Sequence, residues 1–319
     1  MNATAFDSEL FESYKPGLTS FCYRMLGSFD DADDTVQETY IRAWLSWNSF
    51  REDSSFKTWV YRIASNLCID KLRQAKRRVL PVDLNDPAVA IIAPTETLPD
   101  SAWVWPAPDF GDNPEDALVR KDTLQICFIA LLQTLPPRQR AVLILKDVFE
   151  WSSKQIADTL GMSAAAVNSA LQRARETLER TQLRSDEYSK MEEKPDPELL
   201  SRYVEAFEQF DINALVALFH EEGCMSMPPF PMWIRGQGDL AKFYELTRWH
   251  CVGSKLLPVT VNGGYPALAQ YMPSKEAPSV LVPWGIHVIE VKDNRVLHVQ
   301  NFINPKLFTR LGLPEQLHR

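Results

Sequence analysis

A chain of 319 residues is too long for one small domain, and with 45% hydrophobic residues it can bury real cores, so two or three domains are expected. A net charge of −8 argues against a protein that coats nucleic acid, but not against local contact with it, because the charge is unevenly placed. No apolar run approaches the roughly 18 residues of a membrane span, and the first residues lack the basic-then-apolar order of a secretory signal, so no membrane is implied and cytoplasm is the expected compartment. The five cysteines are far apart and odd in number, with no CxxC and no Cys/His cluster. Neither a disulfide framework nor a metal site is indicated, and no pattern asks for a cofactor. Cys22, Cys68 and Cys127 sit among apolar residues and read as core.

Residues 5–80 read as helices throughout. The segment 6–26 is amphipathic, with Pro16–Gly17 expected to interrupt it. Residues 30–47 follow, with acids clustered at the N-terminal end, where the macrodipole favours them. Val36, Tyr40, Ile41 and Trp44 form one stripe and Asp33, Asp34, Gln37, Glu38 and Arg42 a polar one. The third helix is expected over 56–77, with Val60, Ile63, Ala64 and Leu67 inward and Arg62, Asn66, Asp70, Arg73 and Arg77 outward. Lys71, Arg73, Lys76, Arg77 and Arg78 make a basic knot at its end. A helix that joins Trp59 to such a face suits single-stranded nucleic acid, held by stacking and phosphate contacts; Trp59 alone also reads as a core aromatic.

From Pro81 to Val119 there is no Lys or Arg, while Asp83, Asp86, Glu96, Asp100, Asp109, Asp112, Glu115 and Asp116 are all acids. Trp103 and Trp105 are unusual in what otherwise reads as a spacer. Helices resume with Pro114 at an N1 position, then 118–135, a Pro136–Pro137 break, and 138–148. Residues 152–180 read as helix, turn, helix: Ile156, Ala157 and Leu160 on one face, Gly161 as C′, Ser163 as N-cap, and Val167, Ala170, Leu171, Ala174 and Leu178 as a buried stripe. Asn168, Ser169, Gln172, Arg173 and Arg175 remain on the polar face, where they can reach base edges or phosphates if this helix enters a major groove. A helical hairpin with a solvated face is the plain alternative.

The runs DDADDTVQETYIRAW, FKTWVYRIASNLCIDKLRQAKRR and LPPRQRAVLILKDVFEWSSKQIADTLGMSAAAVNSALQRARETL, in that order, resemble a bacterial sigma factor of the extracytoplasmic-function group. The resemblance implies that the face with Asp33, Asp34, Gln37, Glu38 and Arg42 docks on the β′ coiled coil of core RNA polymerase, the partner being the β′ and β subunits. It implies that Trp59, Arg62, Asn66, Asp70, Arg73, Arg77 and Arg78 open and read the −10 element of promoter DNA. It also implies that Asn168, Ser169, Gln172, Arg173 and Arg175 face the −35 element. The family often has a basic residue where Asn168 stands, and Ala164, Ala165 and Ala166 offer few donors, so the −35 sequence is not legible. In this family the connection between the two DNA-binding domains threads the polymerase's cleft, and acids there would mimic nucleic acid; a plain spacer is the other reading.

Residues 184–196 are charged and apolar-poor, a linker, and beyond them the texture changes to helices followed by strands, with Asp293-Asn294 as the turn of a final hairpin. YVEAFEQFDINALVALF, MPPFPMWIRG and the terminal hairpin resemble the SnoaL-like branch of the nuclear-transport-factor and ketosteroid-isomerase superfamily. The fold expected is therefore multidomain: two all-α sigma domains, the second with a helix-turn-helix, plus a C-terminal α+β cone-shaped SnoaL-like domain. The boundaries are 1–80 for region 2, 81–113 for the acidic linker, 114–183 for region 4, 184–196 for the second linker and 197–319 for the SnoaL-like domain. Trp233, Trp249, Tyr271, His287 and His298, with Phe243, Tyr244 and Trp284, are candidates to line a pocket for a small-molecule ligand. Asp211 reads as a cap, Asp239 lies near a helix start, and no acid–base pair stands out, so no enzyme is expected. The expected function is an alternative sigma factor regulated in cis by its C-terminal domain, with residues 228–233 as a candidate contact surface. A ligand-gated helix-turn-helix regulator and an isomerase or cyclase carrying a DNA-binding module are the alternatives.

Overall fold

Side-chain caps set where the first helices start. The Asp7 carboxylate accepts from the Leu10 N–H at 2.9 Å and opens α1 (Ser8–Leu26), which Gly27 closes in the left-handed conformation at φ 69°. Ser28 and Ser55 do the same for α2 (Phe29–Leu45) and α3 (Phe56–Gln74). The computed structural model describes residues 6–50, 55–89, 96–110, 125–184, 194–277 and 279–318. It divides into two units, Met1–Arg78 with Val104–Ser189, and Val79–Trp103 with Lys190–Arg319.

The first unit is all helical. After α3 come α4 (Ile126–Leu132), α5 (Pro137–Leu143) running into a π-turn at Ile144–Val148, α6 (Ser153–Leu160) and α7 (Ala164–Arg184). Phe11, Leu18, Phe21, Val60, Tyr61, Ala64, Ile129, Ile144, Ile156 and Val167 are buried, as are Cys22, Cys68 and Cys127. Two expectations need correction. Pro16 lies inside α1 and does not break it: the helix forgoes one N–H, while nearly everything from Gly17 to Leu26 is buried and holds the second half. The third helix ends at Gln74, because Ala75 is extended and Val79 pairs with Trp103 in a parallel bridge. Of the helix expected over 118–135, α4 is the described part; Pro114, Asp112, Glu115 and Asp116 lie outside the described residues.

The second unit is α+β. Asp196 caps α8 (Pro197–Glu208), and Asp211 caps α9 (Ile212–Ala217) by accepting from the Ala214 N–H at 3.0 Å. The strands are β1 (Phe219–Ser226), β2 (Trp233–Arg235), β3 (Lys255–Val261), β4 (Tyr265–Pro273), β5 (Val280–Lys292), β6 (Arg295–Phe302) and β7 (Leu317–His318). They form one sheet in the order β2-β1-β6-β5-β4-β3, with β7 on β5 and with β1 parallel to β6. The β5–β6 hairpin turns through Asp293 and Asn294 at φ 51° and 53°, the two-residue left-handed turn the sequence predicts. Helices α10 (Gln237–Leu246) and α11 (Arg248–Cys251) lie between β2 and β3, and α12 (Lys306–Arg310) follows β6. Leu199, Tyr203, Phe207, Leu240, Phe243, Ile289 and Val299 belong to one buried cluster on the inner face of the sheet.

The acidic linker of 81–113 divides. Residues Val79–Trp103 belong with the C-terminal strands, and Trp105 belongs with the helices, where its N–H donates to the Gly27 carbonyl at 3.1 Å and its own carbonyl accepts from Tyr23 Oη–H at 2.8 Å.

Candidate functional site

The face of α2 is set by spacing. Asp34 and Gln37 are exposed and Asp33 and Glu38 half-buried; Gln37 donates to Asp33 at 2.9 Å and the Arg42 guanidinium to Glu38 at 2.7 Å. Between these polar groups, Ile41, Trp44 and Leu45 are 49%, 58% and 68% exposed. The apolar stripe read from the sequence thus divides, with Val36 buried and Tyr40 half-buried but Ile41 and Trp44 exposed. Residues 34, 37, 38, 41, 44 and 45 recur at helical spacing, so α2 presents an apolar ridge flanked by charge.

On α3, positions 59, 62, 66, 70 and 73 follow at three and four residues and share one face. Trp59 is half-buried in an aromatic group, its ring centroid 4.8 Å from Phe50, 5.9 Å from Phe56 and 6.1 Å from Trp47. Arg62 donates to the Asp158 carbonyl of α6 at 2.6 Å, so this candidate is already engaged inside the helical unit. Asn66 is exposed, and Asp70 pairs with Arg73 at 3.1 Å. Arg77 and Arg78 lie beyond the helix end; Arg78 pairs with Asp31 at 2.6 Å.

The helix-turn-helix is built from local signals. Ser152 and Gln155 form a reciprocal capping box on α6, Gly161 closes it at φ 62°, and the Ser163 hydroxyl accepts from the Ala166 N–H at 3.2 Å at the start of α7. Asn168, Ser169, Gln172, Arg173 and Arg175 are all exposed on α7. Three have intramolecular partners: Asn168 accepts from Ser153 at 3.0 Å, Gln172 donates to Glu176 at 3.0 Å, and Arg175 grips Asp147 through two bonds of 3.0 and 2.6 Å. Those bonds raise the Arg175 pKa above its ordinary value. At the base of this domain the buried Arg140 guanidinium donates to Gln133 Oε1 at 2.5 Å, to the Gln133 and Leu135 carbonyls at 3.0 Å each, and to the Met25 carbonyl. Burial brings its pKa down to about 9, with the charge of Arg77 acting the same way.

The C-terminal unit holds a partly open cavity of about 140 Å³ on the inner face of its sheet. His287 lines it, with Phe243, Tyr244 and Trp284, but Trp233, Trp249, Tyr271 and His298 do not. Each has a physical reason. The Trp233 indole donates to the Asn85 carbonyl at 2.8 Å. Trp249 is 66% exposed on α11. Tyr271 alternates with the inward Gln270 and Met272, and its hydroxyl donates to the Pro314 carbonyl at 2.8 Å. His298 faces Ser226 at 3.0 Å and Glu290 at 3.5 Å. Burial alone would lower the His298 pKa, but Cys224, its neighbour across β1–β6, and then Glu290 outweigh it and push it up to about 10. His287 is the opposite case: burial brings it down to about 3, and both nitrogens are engaged, Nδ1 by the Tyr203 hydroxyl at 3.2 Å and Nε2 by Gln270 Oε1 at 2.9 Å. The sequence did not point to Asn301, Gln270 or Met225, whose inward direction depends on the register of the strands.

Among the described residues no group of three or more His, Cys, Asp or Glu could hold a metal ion, and no helix is long and apolar enough to cross a membrane. A family model described as Sigma-70 region 2 matches residues 10–78, and one described as Sigma-70, region 4 matches residues 125–178. The chain is 38% identical over 311 residues to the ECF RNA polymerase sigma factor SigG of Mycobacterium tuberculosis, spanning 96% of this chain and 83% of that protein. It is 26% identical over 325 residues to the ECF RNA polymerase sigma factor SigJ of the same organism, spanning 96% and 94%. The crystal structure of SigJ shares the fold over 97% of this chain and 100% of that one, with a TM-score of 0.61 and 23% identity. The chain therefore belongs to the ECF RNA polymerase sigma factors, which direct promoter-specific initiation of transcription, and it carries a C-terminal α+β domain behind its two sigma regions.

Proposed function

We propose that the C-terminal unit controls this sigma factor in cis by holding the linker between its two DNA-binding regions. The observation that carries the reading is the docking of residues 79–103 within that unit. The Trp233 indole donates to the Asn85 carbonyl at 2.8 Å, and the Asn85 amide donates to the Pro231 carbonyl at 2.9 Å. The Ala88 N–H donates to the Trp233 carbonyl at 2.8 Å, and the Leu98 N–H to the Pro229 carbonyl at 3.0 Å. Ala88 also packs against the buried cluster of the C-terminal sheet. A linker that threads the cleft of core polymerase cannot keep these bonds, so docking and threading exclude one another.

In this reading α2, with Asp33, Asp34, Gln37, Glu38 and Arg42 around Ile41 and Trp44, docks on the β′ subunit of core polymerase, and the β subunit takes region 4. Trp59, Arg62, Asn66, Asp70, Arg73, Arg77 and Arg78 serve the −10 element, which requires Arg62 to leave the Asp158 carbonyl. Asn168, Ser169, Gln172, Arg173 and Arg175 serve the −35 element. The chain works where the polymerase is, in the cytoplasm. The C-terminal cavity is read as a binding site rather than a turnover site: its described lining holds no carboxylate, and of its two histidines, His250 and His287, the second has both nitrogens engaged.

The test is transcription in vitro with core polymerase, comparing the full chain, a chain ending at Lys190, and Trp233→Phe, which keeps apolar bulk but loses the bond to Asn85. Cis control predicts that the shortened chain and Trp233→Phe shift promoter output in the same direction. Equal output from all three would end the reading.

A further inference from the structure

The face that α7 turns to solvent is small at its start and polar beyond. Ala164, Ala165 and Ser169 are exposed and carry little bulk, so they do not hold the helix away from a base edge. Asn168 is exposed among them, and its amide is tethered. The hydroxyl of Ser153, the first residue of α6, donates to Asn168 Oδ1 at 3.0 Å. Ser153 is itself half-buried, and the capping box of Ser152 and Gln155 fixes the start of the helix that carries it.

The direction of that bond decides what Asn168 offers. An amide carries its oxygen and its NH2 on opposite sides of Cγ, so an oxygen turned to α6 leaves the NH2 on the outward side. A reversed amide also meets the Ser153 hydroxyl, which accepts as well as donates. The N-terminus of α6 breaks the tie. The first turn of a helix carries partial positive charge, which attracts the carbonyl oxygen and repels the NH2 hydrogens, and Lys154 in that turn adds to it. Gln172 is turned in the opposite sense: its NH2 donates to Glu176 of its own helix at 3.0 Å.

In a major groove the two purines differ at one position that an outward NH2 tells apart. Guanine presents O6, an acceptor, beside N7; adenine presents the N6 amine, a donor, beside the same N7. The usual asparagine–adenine pair needs the amide oxygen at N6, and that oxygen is the atom Ser153 draws away. We propose that Ser153 is a positioning residue for promoter recognition: it turns Asn168 so that its NH2 faces the groove, and the pair selects guanine over adenine at the base pair opposite Asn168. This rests on the assignment of Asn168 to the −35 element made above, to which it adds the role of Ser153 and the preferred purine.

The test uses the full chain with core polymerase and a promoter from which this holoenzyme initiates. Its −35 element is randomised, each version is barcoded within the transcript, and the transcripts are sequenced. The parent is compared with Asn168→Ala, Ser153→Ala and Ser153→Thr. Asn168→Ala is expected to flatten the preference at one position, which marks the base pair it reads. At that position the parent should favour guanine over adenine. Ser153→Ala should lower the guanine-to-adenine ratio on the order of fivefold, the worth of one neutral hydrogen bond, and Ser153→Thr, which keeps the hydroxyl, should preserve it. Preferences at the other positions should stay as in the parent, since a merely structural role for Ser153 would change total output and leave that one ratio alone. An adenine preference in the parent, a ratio unmoved by Ser153→Ala, or a shift of equal size at every position would overturn the role of Ser153. A profile unmoved by Asn168→Ala would overturn the −35 assignment of Asn168 itself and the proposal with it, so the two failures are told apart.

Discussion

Acidification from about pH 7.5 to about pH 5 separates the two buried histidines of the C-terminal sheet, because they titrate with opposite sign. His287 is held down to about 3 by burial, while a histidine in an unfolded chain titrates near 6.5. Below about 6.5 the unfolded state takes up a proton that the folded state refuses, so stability falls as pH drops. At about pH 5 this amounts to about 1.5 units at about 1.36 kcal/mol each, or about 2 kcal/mol. The figure is the same for any folded value below about 4, since the loss up to that pH depends only on the unfolded titration. His298, pushed up to about 10, contributes stability that is fully present below about 6.5 and is lost as pH rises toward 10. Over the same acid step it therefore returns about 1.4 kcal/mol, and the two nearly cancel in the parent protein. Substitution uncovers each. His287→Gln should remove the acid-side loss, and His298→Gln should expose all of it. Hydrogen exchange of β4 and β5 peptides, corrected for the intrinsic pH dependence of exchange, reads the difference as about a 30-fold change in the protection ratio of parent to His287→Gln between the two pH values. An unchanged ratio would mean that His287 is charged in the folded state, and the neutral, doubly engaged ring would have to be abandoned.

Three further outcomes follow from the helical unit. Asp147→Ala releases Arg175 from its two bonds; fold stability should change by about 0.5 kcal/mol or less, since the pair is exposed. If the freed guanidinium reaches a phosphate, the salt slope of binding to −35 duplex should steepen by about one, and a slope unchanged by fluorescence anisotropy would remove Arg175 from the contact set. Arg140→Met leaves Gln133 and three carbonyl acceptors without their buried donor and should cost about 3 kcal/mol in urea unfolding; a loss under about 1 kcal/mol would show that water replaces the guanidinium. Trp44→Ala, at a site 58% exposed, should leave stability within about 0.5 kcal/mol yet weaken binding to core polymerase about tenfold or more. Unaltered affinity would take the apolar ridge of α2 out of the docking surface.

What the sequence made legible was whatever its own neighbours decide. The capping box of Ser152 and Gln155, the left-handed Gly161 and the Ser163 cap lie within a turn of the helices they delimit, and the helix-turn-helix was readable from them. Asp211 as a cap and the Asp293-Asn294 turn are local in the same sense. The cavity was not local. Which of the alternating residues face inward depends on which strands pair and in what register, and Tyr271 and His298 fall on the other side from His287. Ile41 and Trp44 continued an apolar stripe that Val36 begins, but α2 meets its neighbours along a narrower line than that stripe, and hydrophobic character alone does not say which apolar residues stay exposed. The destination of the linker was the least legible, since Asn85 and Trp233, which meet at 2.8 Å, are 148 positions apart.

The strength of the linker's hold fits a switch better than a permanent seam. Among the described residues, four hydrogen bonds fasten Asn85, Ala88 and Leu98 to the loop and strand at 229–233, and at about 1 kcal/mol net for each they amount to roughly 4 kcal/mol before the entropy of ordering the segment is subtracted. Moving a two-state equilibrium from one side to the other takes about 5.5 kcal/mol of differential binding. On the proposed reading, core polymerase binds the undocked form, and an aromatic anchor with its surroundings can supply that difference. A hold much stronger than this would keep the sigma factor off its promoters, and a much weaker one would leave the C-terminal domain with nothing to control.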